Sequence, residues 1–204
     1  MARDRASPGG FGVGTSDVVI GARIPAARPA RRASRIGWGH ARRKVPAGAG
    51  PRHLAFHPNG KFVYVVNELG NTVTAFNWKD GKLAQLQDIG TLPKDFTSES
   101  YTAEIRVHPS GRFLYVSNRG HNSITLFEVR DSGQLTFITT FPTGGDWPRN
   151  FEIDPTGKWL IVANERSNHL QVFRIDQATG ILKQTDSRLQ NIPAPLCVRF
   201  LTMP

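Results

Sequence analysis

The 204 residues predict an all-β chain: a β-propeller fragment of about three four-stranded blades plus one strand of a fourth, behind a disordered N-terminal tail. Three observations carry that prediction. The stretch HPSGRFLYVSNRGHNSITLFEV, His108 to Val129, has a copy upstream in HPNGKFVYVVNELGNTVTAFNW, His57 to Trp78, and another downstream in DPTGKWLIVANERSNHLQVFRI, Asp154 to Ile175. The Pro-x-Gly turns of the copies begin at Pro58, Pro109 and Pro155, spaced 51 and 46 residues apart. Inside each copy the apolar residues come in short β-branched and aromatic bursts fenced by Gly, Pro, Asn and Asp, which is the patterning of strands and not of helices. A four-stranded antiparallel unit of roughly 40 to 50 residues, repeated in register, is the signature of a propeller blade.

In chain order, residues 1–48 come first and hold ten Lys/Arg against two Asp, a net of +8 out of the chain's +10. Ala/Arg/Pro/Gly-rich runs such as ARIPAARPARRAS lack apolar periodicity and bury too little surface to offset their ordering entropy, so this tail is expected to be disordered. A pI near 10.5 would suggest nucleic acid, but the remaining residues are almost neutral, so that inference attaches to the tail alone and nucleic acid is not the expected partner. Val18-Val19-Ile20 is too short for the apolar core of a secretory leader. An Arg-rich, acid-poor stretch also fits an organelle transit peptide, although its abrupt join to a well-patterned strand at Gly50 points to a misassigned start or a truncated reading frame.

The repeat region spans residues 49–204, with blades at about 50–92, 101–142 and 147–187 and a last strand over 195–201. In the first copy the four strands are Leu54-Ala55-Phe56, Phe62 to Val66, Thr72 to Phe76 and Lys82 to Leu86. The other copies place their first strands at Ile105-Arg106-Val107 and Phe151-Glu152-Ile153, and their fourth at Gln134 to Phe137 and Ile181 to Lys183. No run of 18 or more apolar residues occurs, so no membrane-spanning helix is expected. The lone Cys197 leaves no partner for an internal disulfide and fits a reducing, cytoplasmic compartment. It is expected in a buried strand.

Antiparallel connection puts the loop entering the first strand and the loop joining the second to the third at one end of each blade. The Pro-x-Gly turns then lie at the other, where His57, His108 and Asp154 read as turn caps. At the first end the entry positions read Pro51-Arg52-His53, Thr102-Ala103-Glu104 and Pro148-Arg149-Asn150. Asn67, Asn118 and Asn164 repeat and read as turn residues. The His53/Glu104/Asn150 and Arg52/Ala103/Arg149 columns instead differ from copy to copy, which suits an asymmetric ligand. No H-E-x-x-H or H-x-x-E-H pattern, nucleophile elbow, or Walker or Rossmann glycine pattern occurs. What remains is a cofactor-free set of histidine, carboxylate and arginines, suited to acid/base attack of water on an ester or lactone with arginine holding an anionic group.

The stretches GPRHLAFHPNGKFVYVVNE, AEIRVHPSGRFLYVSNRGHNSI, GDWPRNFEIDPTGKWLIVANE and PAPLCVRFL resemble those of the lactonase family of seven-bladed propellers, which includes propeller-type 6-phosphogluconolactonases and carboxy-muconate cyclases. The resemblance covers residues 50–201 and implies cofactor-free hydrolysis of 6-phospho-D-glucono-1,5-lactone to 6-phosphogluconate in the pentose phosphate pathway. Residue by residue it points to His53, Glu104 and Arg149 as catalytic, with Arg52, Arg119, His121 and Asn118 binding a small anionic lactone. Members have seven blades, so a chain of three is expected to need the missing blades or a partner chain to close its ring. Alone it is expected to be unstable, prone to aggregate or dependent on a partner, and a truncated chain of this kind can lack activity. A non-catalytic binding propeller of the YVTN or WD-repeat kind, and lactone formation in place of hydrolysis, remain as alternatives.

Overall fold

The computed structural model describes residues 16–22 and 39–201. Within them the chain forms three four-stranded antiparallel sheets and one two-stranded pair, with no helix. The first sheet is β3 (Pro51–Phe56), β4 (Phe62–Asn67), β5 (Thr72–Lys79) and β6 (Lys82–Gly90). The second is β7 (Tyr101–Val107), β8 (Phe113–Arg119), β9 (Ser123–Val129) and β10 (Leu135–Pro142). The third is β11 (Pro148–Ile153), β12 (Trp159–Asn164), β13 (His169–Ile175) and β14 (Leu182–Gln190). Each sheet is ordered as its strands run in sequence. The first strands pack against one another, β3 on β7 and β7 on β11, so they converge on a common axis as in a propeller.

Two faces of each sheet are apolar because the middle strands carry continuous hydrophobic runs. In β4, Phe62, Tyr64 and Val66 point toward the second sheet, where they meet Ile105, Leu114, Val116 and Phe127. Val63 and Val65 point the other way, against Phe76, Leu83 and the incoming Val45 and Ala49. Alternate residues thus serve different cores, as the two-residue period of a strand requires. The next core, between the second and third sheets, takes Phe113, Tyr115, Ile124 and Leu126 from one side and Phe151, Leu160, Val162 and Phe173 from the other. Burying each such side chain is worth about 1.5–3 kcal/mol.

The turn caps do more than the sequence suggests. The His57 Nδ1 accepts from the Asn59 amide at 3.2 Å, and the Nε2–H reaches the next blade to donate to the Gly111 carbonyl at 2.9 Å. His108 repeats both contacts, with Ser110 N at 3.1 Å and Gly157 O at 2.9 Å. The Tyr64 and Tyr115 hydroxyls likewise donate to Gly133 O at 3.1 Å and Gly180 O at 2.7 Å in the following blade. In the third blade Asp154 caps its own turn through Thr156 N at 3.1 Å, and Ile161 stands where the tyrosine would be.

Two expectations need correction. Ser16–Ala22 (β1) and Gly39–Val45 (β2) pair antiparallel inside the stretch expected to lack structure. The β-branched Val18-Val19-Ile20 run supplies strand propensity there, and Arg43 Nε donates to Leu83 O at 2.5 Å on β6. The expectations for the remainder of 1–38 fall outside the described residues. At the other end, 195–201 forms no strand, because among the described residues no second strand lies beside it to complete a ladder. Cys197 is accordingly exposed instead of buried.

Candidate active site

Each first strand carries a β-bulge at its entry. In β3 the pairing passes from Pro51↔Asn67 to His53↔Val66, leaving Arg52 unpaired. Arg149 is left out the same way in β11, and in β7 the register slips between Thr102 and Ile105, at Ala103 and Glu104. Bulges re-aim side chains at the rim of a sheet. In β3 the consecutive Arg52 and His53, which would otherwise point to opposite faces, come to lie with Nη1 and Nδ1 3.4 Å apart.

At the centre is Glu104, 1% exposed. Its Oε1 lies 3.0 Å from His53 Nδ1, 2.5 Å from Arg106 Nη1 and 3.0 Å from the Ile105 amide, and its Oε2 accepts from Asn150 Nδ2 at 2.5 Å. Burial on its own would raise the Glu104 pKa. The hydrogen bond to His53 and the charge of Arg106 overcome it and hold the carboxyl below its ordinary range, so it is an anion at neutral pH. With Nδ1–H donating to that anion, the neutral form of His53 keeps Nε2 as an acceptor on a side chain 40% exposed.

Above this pair stands a group of guanidiniums. Arg52 donates to Ala103 O at 2.6 Å and approaches Glu68 at 3.4 Å. Arg119, itself 5% exposed, bonds the other oxygen of Glu68 and donates to Thr102 O at 3.2 Å. Two cations thus share one carboxylate, and the Arg119 Nε has no partner. Burial, and then the positive charge of Arg119 with a smaller contribution from Arg149, pulls the Arg52 pKa below its ordinary value. Burial is the larger cause, and the Glu68 and Glu104 carboxylates offset part of the repulsion. Arg119 also lies over the rings of Tyr101, at 5.8 Å, and Trp147, at 5.4 Å, while Arg166 stacks on Trp147 at 3.3 Å. Trp147 adopts φ +63°, a conformation costly for a bulky residue, fixed by its amide donating to Asn122 Oδ1 at 2.9 Å.

The structure therefore brings His53 and Glu104 into contact and sets Arg52 and Arg119 beside them. Arg149 turns outward to Glu165 at 3.5 Å and joins the group only through its charge. His121 is occupied by Ser123 Oγ at 2.6 Å and the edge of Phe96 at 4.5 Å, and burial lowers its basicity despite Asp95. Asn118 is fully buried and donates to Ser123 Oγ at 3.1 Å and Thr125 Oγ1 at 2.8 Å. It offers no surface to a ligand and corrects the expectation that it binds substrate. Asn67 makes the same two contacts to Thr72 and Thr74 in its own blade.

Glu68, Arg106, Glu152 and Trp147 join the site without having been expected there. Arg106 and Glu152 stand two residues beyond Glu104 and Asn150 on the same strands, so the two-residue period already places them on the axial side. Nothing local marks Trp147. Among the described residues no cluster of three or more His, Cys, Asp or Glu is placed to hold a metal, and no helix is long and apolar enough to cross a membrane.

The profile of the family described as "Lactonase, 7-bladed beta-propeller" matches residues 32–200. Over 157 residues the chain is 45% identical to the 6-phosphogluconolactonase of Bacillus subtilis, covering 76% of this chain and 45% of that protein. Among solved structures, a periplasmic gluconolactonase of Pseudomonas aeruginosa aligns with a TM-score of 0.75 at 35% identity, covering 80% of this chain and 46% of that one. A protein from Lactobacillus plantarum aligns with a TM-score of 0.76 at 36% identity over 79% of this chain and 48% of that one. The chain spans about half the length of the relatives it matches. With the match extending over the tail's end and all three blades, the chain belongs to the lactonase family of seven-bladed β-propellers.

Proposed function

We propose that the rim built by His53, Glu104, Arg52 and Arg119 hydrolyses a sugar lactone carrying an anionic group, and that the lactone is 6-phospho-D-glucono-1,5-lactone. The observation that carries the reading is the 3.0 Å His53–Glu104 pair beside two guanidiniums that share one carboxylate. In this reading Glu104 stays ionised and orients the imidazole, and His53 Nε2 takes a proton from water as the water oxygen bonds to the lactone carbonyl carbon. The carbonyl oxygen gains negative charge, which Arg52, its Nη1 3.4 Å from His53 Nδ1, serves to stabilise. The ring C–O bond then breaks, the proton passes from His53 to the departing ring oxygen, and a free acid and alcohol result. Arg119, short of one partner, takes the anionic group, with Arg149 adding to the local positive potential. Water is the only co-reactant. Such a step is the one the pentose phosphate pathway requires, in the cytoplasm.

The test is acid release from 6-phosphogluconolactone by the full chain, with the Bacillus subtilis relative as a control. Hydrolysis above the spontaneous rate is expected. His53→Gln should lower kcat by about 10²–10⁴-fold, the usual worth of a general base, while Arg119→Lys should act mainly on KM. No hydrolysis above the spontaneous rate, or wild-type rates in His53→Gln, sinks the reading and leaves a binding role for the rim.

A further inference from the structure

Below the rim, Glu104, Arg106, Glu152 and Arg199 form a chain of charges that alternate in sign. Glu104 of β7 is bonded by Arg106 Nη1 at 2.5 Å, and Arg106 Nε donates to Glu152 Oε1 of β11 at 2.8 Å. Glu152 Oε2 then accepts from Arg199 Nη1 at 2.6 Å. The two inner members are largely shielded, with the side chains of Arg106 and Glu152 19% and 17% exposed, whereas Arg199 is 52% exposed. A buried carboxylate without a charged partner is strongly disfavoured. His53 is the more exposed of the two cationic or potentially cationic contacts of Glu104, and in the hydrolytic reading it is neutral when it acts. Arg106 is the contact that is always charged.

We propose that Arg106 is a positioning residue. Braced by Glu152, it fixes one oxygen of Glu104 so that this carboxylate stays an anion aimed at His53 Nδ1 throughout turnover. The proposal rests on reading His53 and Glu104 as the working pair, but it concerns groups that never touch substrate. The groups facing Glu104 are His53 and, by its charge, Arg52 from β3, Arg106 on its own strand, and the neutral Asn150 from β11. The Ser117 hydroxyl of β8 accepts from the Glu104 backbone amide. Glu152 acts on Glu104 through Arg106. Because Arg106 Nη1 also donates to Ile105 O at 2.9 Å, its guanidinium is held by three separate acceptors and has little freedom to swing toward the rim.

The experiment uses the full chain with ¹³C-labelled glutamate carboxylates and follows the Glu104 titration by NMR beside the pH profile of kcat and KM. In Arg106→Gln the Glu104 carboxylate should titrate at higher pH. At the acid end of the profile kcat should fall roughly tenfold below the wild type's, a fraction of what general acid/base assistance supplies, recovering as pH rises, with KM little changed. Arg106→Lys should restore most of both, and Glu152→Gln should move both the same way by less. These two milder variants carry the same readouts should Arg106→Gln fail to fold. An unmoved Glu104 titration, or a kcat loss equal at every pH and not rescued by lysine, overturns the proposal. If the wild type hydrolyses no lactone, the functional reading fails on its own, and the carboxylate titration alone then decides the role of Arg106.

Discussion

Glu104 concentrates the electrostatics of this molecule in one side chain. Its carboxyl is held below the ordinary range when folded, against the effect of its own burial, chiefly by His53 and Arg106. The folded state therefore binds this proton more weakly than the unfolded state. The resulting stability is complete above the unfolded carboxylate range and is lost as pH falls through the folded value. Denaturant midpoints measured from neutral to acid pH should show a steeper acid loss in the wild type than in Glu104→Gln. At neutral pH that variant should be less stable by about 1–3 kcal/mol, since His53, Arg106 and Asn150 lose their anionic acceptor. Equal acid slopes in the two proteins would show that Glu104 is not held as described. Asp154, lowered by Thr156 and backbone amides against its burial, should account for part of the slope that remains.

At the level of strands and turns, each blade is fastened to the next by the same devices. A histidine in the Pro-x-Gly turn reaches the following turn's glycine carbonyl, and a tyrosine of the second strand reaches the glycine of the following blade's last hairpin. Gly60 and Gly111 separate the turn's own demands from this contact. Both have positive φ, +70° and +77°, but a Cβ at Gly60 meets nothing within 4 Å while one at Gly111 lies 2.7 Å from the His57 ring. Gly60→Ala should cost about 1 kcal/mol from backbone strain. Gly111→Ala should cost more, and replacing His57 by Ala beside it should remove most of the excess in thermal melts. Equal losses at the two glycines would mean that the histidine bridge contributes nothing to blade docking.

Over the whole molecule the two ends of the blade series differ. The outer face of the first blade is covered by Val45 and Ala49, which pack on Val63, Val65 and Phe76. The third blade instead leaves Trp159 41% and Ile181 38% exposed, beside a groove formed with Arg174, Ile175 and Gln177. Trp159 stands where Phe62 and Phe113 stand in the other blades, and those rings close on Gly133 and Gly180 of the blade that follows. An apolar surface of this kind promotes association. Sedimentation should detect concentration-dependent self-association of the wild type, reduced in Trp159→Ser/Ile181→Ser. A monomer at all concentrations would show that this face is compatible with water as it stands.

The repeat register, the strand-forming bursts and the caps at His57, His108 and Asp154 were legible in the residues, because turn chemistry and two-residue alternation are local. Local order also sufficed to place His53 and Glu104 at one end of the axis. The bulges that turn Arg52 and Arg149 were not legible, since a bulge is a mismatch between two strands and neither strand shows it alone. Nor was the parting of the arginines, Arg119 toward Glu68 and Arg149 toward Glu165, because ion pairs form between loops whose distance is set by blade packing. Asn118 illustrates the same limit: its position marked it for the rim, but only the packed blade shows it fully buried with its Nδ2 hydrogens bonded to Ser123 and Thr125. The amino-acid order determined the repeating β unit and the candidate set, through short-range sterics and patterning. The three-dimensional packing decided which of those charges meet, because Coulomb and hydrogen-bond energies depend on distances across blades that no single segment specifies.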